Sequence, residues 1–152
     1  MATWTVAQFD SLQEELGPQR QTLLPAIATG RHNISAGWVV MPAGHMAAPH
    51  VHAEHDIVVA VLAGHVVSLL GEHLTPEWHA PGDMIHIPAG ILHAGVNLST
   101  TQRVVLMECR TDPWFNRDVL RVPGYEDLLR AQGKRHQDAF ILAGKQSVLE
   151  LL

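Results

Sequence analysis

Between residues 34 and 110 the chain breaks into short β-rich runs that end at Gly, Pro or polar turns: Ile34 to Met41, Asp56 to Ala63, His65 to Leu70, Met84 to Ile87 and Gln102 to Arg110. Runs of this length and spacing predict an all-β sandwich or barrel rather than strands alternating with helices. A length of 152 residues suits one domain with a substantial core. Charged residues make up 16% against 47% apolar, a balance that argues against extended disorder.

The chemistry concentrates in the histidines. His50 and His52 stand at i and i+2 of an extended segment and so point to one face, because side chains alternate along a strand. His93 follows the Pro88-Ala89-Gly90 turn and can bring a third nitrogen from a neighbouring strand. Three neutral imidazoles hold a borderline divalent ion and leave positions open for water, oxygen or substrate. The chain has 11 histidines. His45, His55, His73 and His79 read as solvated loop residues, although His55 could reach a metal if the strand bends. His86 interrupts the apolar run Met84-Ile85-His86-Ile87 and points either into a cavity or to the outer surface. Glu108, with Arg110 two residues on, reads as a paired surface charge, a cavity acid being the alternative.

Gly82, Pro88, Gly90, His93 and Asn97 fill every defined position of the second cupin motif, and Gly44, His50 and His52 resemble the start of the first. The family then expects a glutamate ligand, but counting back from Gly64 lands on Ile57, and Asp56 is one residue short. A one-residue shift turns a side chain to the other face. Two readings follow: a bulge aims Asp56 inward, so that the ligands are His50, His52, Asp56 and His93, or three histidines bind the metal with Asp56 behind them. The resemblance implies a cupin-type jelly-roll barrel, a double-stranded β-helix with short flanking helices. It implies one cupin domain over residues 1–152, with its barrel core at about 34–110 and a C-terminal extension at 111–152. It also implies a homodimer, one divalent transition metal (iron, zinc, manganese or nickel) and a small-molecule substrate. The reading it puts first is an oxygenase acting on a small carbonyl- or hydroxyl-bearing compound. A metal-dependent isomerase, a polyketide-type cyclase and a non-catalytic binding cupin are the alternatives.

Outside this core, Asp10-Ser11-Leu12-Gln13 offers a helix N-cap with Gly17 as its stop, and Gly124 to Arg130 opens a second helix that Gly133 ends. The apolar segments Ala139 to Leu142 and Val148 to Leu152 are expected to pack on the barrel, on another subunit or locally. A net charge of -5 with scattered Lys and Arg gives no basic stripe, so nucleic acid is not an expected partner. No basic leader or membrane-length apolar run is present, and Cys109 stands alone, its thiol expected to be buried; the expectation is a cytoplasmic protein without an internal disulfide. Phosphate-binding loops, dinucleotide turns and serine triads in a recognisable local context are also absent.

Overall fold

The computed structural model describes residues 4–144, and these form two antiparallel sheets and one α-helix. The six-stranded sheet runs in the order β1 (Glu15–Leu16), β2 (Thr22–Ile27), β3 (Ser35–Met41), β10 (Val104–Arg110), β5 (Ile57–Ala63), β8 (Met84–Ile87). The five-stranded sheet runs β11 (Val119–Arg121), β4 (His50–His52), β9 (His93–Asn97), β6 (Val66–Leu70), β7 (Thr75–His79). Helix α1 spans Glu126–Leu142.

Alternation decides which side chains meet. In β10, Val104, Leu106, Glu108 and Arg110 are buried while Val105, Met107 and Cys109 are half-buried. Val104 and Leu106 of the first row join Leu23, Val39, Met41, Val61, Val66 and Phe115 in one core cluster. In β6 both faces are buried, because Val67 and Leu69 point the other way into a second cluster with Val96, Leu129 and Phe140. The five-stranded sheet therefore has cover on both faces, the helix supplying one of them. Each such side chain contributes roughly 1.5–3 kcal/mol.

Three expectations change. The segment from Asp10 to Gly17 is not a helix: after one 3-10 turn at Phe9–Ser11 the chain is extended at Leu12 and enters β1. The Ser11 hydroxyl donates back to the Gln8 carbonyl at 2.8 Å and caps nothing, while β1 gains ladder partners in β2. The second helix runs through Gly133 rather than ending there. A Cβ at Gly133 would lie 2.7 Å from Met46 Sδ, so the glycine serves close approach of helix to sheet. Lastly, the polar stretch Glu72 to His79 contains a strand, with Thr75–His79 paired along β6. Pro76 is accommodated because β7 is a sheet edge.

Of the apolar tail, Phe140 packs locally in the helix-side cluster. Val148 to Leu152 lie outside the described residues. No helix among the described residues is long and apolar enough to cross a membrane.

Candidate metal centre and its cavity

Pairing of β4 with β9 sets His50 opposite His93, and the i, i+2 spacing puts His52 on the same face. Gly90 fixes the approach to His93. Its φ of +79° is left-handed, a conformation that costs glycine little, and its N–H donates to the His52 carbonyl at 2.8 Å. The ring centroids of His50 and His93 are 4.3 Å apart, those of His50 and His52 5.3 Å, and those of His52 and His93 5.4 Å. One ring nitrogen from each lies within 4.8 Å of the others, and all three residues are buried.

The other nitrogens set the tautomers. His50 Nδ1 meets the Ala48 carbonyl at 2.7 Å, His93 Nδ1 the Ile91 carbonyl at 2.9 Å, and His52 Nδ1 the Asp118 carboxylate at 3.3 Å. Each oxygen accepts, so each Nδ1 donates, and the three Nε2 lone pairs are left for a metal. Burial pushes His50 well below the usual histidine range, with the neighbouring His93 adding to it. Burial likewise lowers His52, and it pushes His93 down to about 4. Neutral rings of this kind are the state a metal needs.

Of the ligand positions read from the sequence, the structure brings together His50, His52 and His93 and takes Asp56 elsewhere. Strand β5 begins at Ile57, which is buried and lines the cavity, so Asp56 one residue earlier turns to the outer face. There it accepts from Ala89 N at 3.0 Å and from His86 Nε2 at 2.8 Å, bonds that hold its carboxyl below the usual range. His86 is thus the outer-surface histidine of the two alternatives. The carboxylate bonded to a clustered imidazole is Asp118, which sequence reasoning missed. It follows β10 through an irregular loop, and no local pattern marks it. Burial raises the Asp118 pKa, but bonds from His55, Glu54 N and His52 outweigh that and leave it lowered.

His55, Asp112 and Asp118 also converge, yet their hydrogen-bonding capacity is engaged locally. Asp112 accepts from the N–H groups of Trp114 and Arg117, and Asp118 accepts from His55 Nδ1 at 2.9 Å.

Next to the three histidines lies a small cavity of about 30 Å³, walled by apolar residues such as Ile57, Val59, Ile85, Ile87 and Leu106. Glu108 and His79 also line it. Both placements correct the sequence reading. Glu108 shares the inward row of β10 with Val104 and Leu106, and that alternation was the available signal. It pairs with Arg110, itself buried, through Arg110 Nε to Oε2 at 3.0 Å and Arg110 Nη2 to the same oxygen. The guanidinium rests 4.2 Å from the Phe115 ring centroid. His79 occupies the inner face of β7, where its Nε2 lies 3.1 Å from the Ser68 hydroxyl. Burial lowers its pKa, although Asp83 and Glu77 pull the other way.

Residues 37–108 match the cupin domain family. Among solved structures, the polyketide cyclase RemF from Streptomyces resistomycificus shares 20% identity at a TM-score of 0.68, covering 83% of this chain and 94% of that one. KdgF from Halomonas sp. shares 18% at 0.59, covering 71% and 93%. A cupin-superfamily sugar phosphate isomerase from Silicibacter pomeroyi shares 20% at 0.58, covering 70% and 74%. Identities this low express likeness of fold. No curated protein sequence matches the chain. The central strands thus match the cupin domain, and the architecture is shared with these proteins.

Proposed function

We propose that the protein is a metal-dependent enzyme in which His50, His52 and His93 hold one divalent transition metal (iron, zinc, manganese or nickel) and the adjoining cavity receives a small carbonyl- or hydroxyl-bearing organic molecule. The observation that carries this is the set of three oxygens that accept from Nδ1 of His50, His52 and His93, which leaves the Nε2 lone pairs of three buried, clustered imidazoles for a metal. A metal bound there supplies a Lewis acid that polarises a carbonyl and eases loss of a neighbouring proton. Both bonds from Arg110 fall on Glu108 Oε2, so Oε1 is the oxygen able to take a proton from substrate in the cavity. The apolar wall keeps bulk water from competing.

A carboxylate facing the substrate is a proton-transfer group, so the cavity favours isomerisation or cyclisation over the oxygenation that the sequence puts first. The fold shared with the polyketide cyclase RemF is in keeping with this. We further propose that residues 1–152 form one cupin domain, that the two sheets close into a jelly-roll barrel over about 34–110 with residues 111–152 as its extension, and that two copies pair in a cytoplasmic homodimer.

The test is elemental analysis of protein purified without chelator or metal-affinity resin, followed by a screen of diketones, catechols and hydroxy-carbonyl compounds with iron, manganese, nickel and zinc. Product mass and oxygen uptake are followed together. Product isomeric with substrate, or differing by water, supports proton transfer; oxygen uptake with added oxygen mass supports the oxygenase. His50→Ala and His93→Ala should each lose metal and turnover, whereas Glu108→Gln should keep the metal and lose turnover by about 100-fold or more. Absence of bound metal under every condition overturns the reading, and ligand binding without product supports the non-catalytic alternative.

A further inference from the structure

Strands β7 and β8 end the two sheets and are joined by the turn at residues 80–83, yet they do not pair with each other. The seam between them is therefore one place where backbone ladder pairing stops. An open groove runs along it on the outside, lined by Leu70, Glu77, Trp78, Asp83 and Met84 together with His79 and Ile85. His79 and Ile85 also line the inner cavity that holds His50, His93 and Glu108. Two side chains thus belong to both the outer groove and the metal-side cavity.

Register shows how far the groove reaches. Leu70 is the β-ladder partner of His93, and Ile85 is the partner of Val59, which in turn pairs with Glu108. The groove therefore lies one ladder pairing from His93 and two from Glu108. The groove has a defined charge. Glu77 and Asp83 stand on it, and no Lys or Arg is among its lining residues. Negative charge along the groove repels anions, and Leu70, Met84 and Ile85 offer apolar contact.

We propose that the β7–β8 seam is the substrate entrance, gated by His79 and Ile85, and that Glu77 and Asp83 select uncharged, mostly apolar hydroxy-carbonyl compounds against anionic ones such as sugar phosphates. This rests on the metal-site reading only for where the head of the ligand goes; the entrance and its charge stand on the seam itself.

The experiment is calorimetric titration of zinc-loaded protein with two probes, 1-hydroxy-2-acetonaphthone and the same compound carrying a sulfonate on its distal ring. The wild type should bind the neutral probe about tenfold more tightly, a difference in line with one unfavourable charge contact at a partly exposed site. Glu77→Lys should bring the two affinities to within about threefold while leaving the neutral probe unchanged. Ile85→Trp should weaken both probes at least tenfold with zinc still bound at one per chain. Equal wild-type affinities, an unchanged ratio in Glu77→Lys, or no binding of either probe overturns the proposal. If zinc-free protein shows the same selectivity, the entrance stands and the metal-site reading is the one that falls. Glu77 is exposed, so its variant tests the charge even if Ile85→Trp fails to fold.

Discussion

Asp118 accepts from two imidazoles at once, His52 through Oδ1 at 3.3 Å and His55 through Oδ2 at 2.9 Å, while its Oδ2 also takes the N–H groups of Glu54 and His55. One carboxylate thus ties the end of β4 to the loop beyond it and fixes the ring orientation of a clustered histidine. Removing a partner of this kind typically costs 10–100-fold in metal affinity. Asp118→Ala should therefore weaken zinc binding by roughly that factor, read by competition with a chromophoric chelator, with the fold retained by circular dichroism. Unchanged affinity would show that Asp118 only anchors the loop. His50 and His52 were legible because their spacing forces a common face, and His93 because it follows the Pro88-Ala89-Gly90 turn at a position of the second cupin motif. Asp118 was not, because its role depends on where an irregular loop returns. Glu108 lay between these cases: its row was readable, but a Glu and an Arg two apart resemble a solvent-facing pair until Phe115 and Leu106 are seen around them.

Strands with alternation or continuous apolar character, β3, β5, β6, β8 and β10, were visible in the sequence to within a residue or two. β7 was not, since Thr75, Pro76, Glu77 and Trp78 are exposed and an edge strand owes its form to its neighbour's hydrogen bonds more than to its own residues. That omission also hid His79, whose position on the inner face follows only from pairing of Val66 with His79. The N-terminal helix signal failed for the complementary reason. A capping pattern is worth only about 1 kcal/mol, and here Glu15 and Leu16 pair with Leu23 and Thr22 of β2 instead. In α1 the glycine signal misled because Gly133 marks contact rather than termination: the helix continues so that Gln137 Nε2 can donate to the carbonyls of Gly44 at 3.1 Å and Asn97 at 2.9 Å. These bonds seat α1 over the sheet that carries His93.

For the whole molecule, the outer face of the six-stranded sheet presents Val40, Val58 and Met107 half-buried, with Leu62 and Met84 exposed. A contiguous apolar face of this kind suits a two-fold contact between copies. Light scattering at micromolar concentration should give twice the 16.7 kDa chain mass, and Met107→Lys should shift it toward the monomer; a monomer mass for the wild type would refute the pairing. The buried histidines also make stability depend on pH in a definite direction. In metal-free protein, unfolded His93 takes up its proton near 6.5 but the folded residue only near 4, so between those values the unfolded chain binds more protons. Stability must then fall as pH is lowered through that window and level off beneath it, with His50 and His52 acting in the same sense. The loss from His93 alone is on the order of 3 kcal/mol. Denaturant midpoints at pH 7.5, 5.5 and 4.5 after chelation should decrease in that order. With zinc restored the fall should be steeper, because protons then also displace the metal from the same three nitrogens. Midpoints that stay level across the window would mean that the imidazoles are not held neutral by burial.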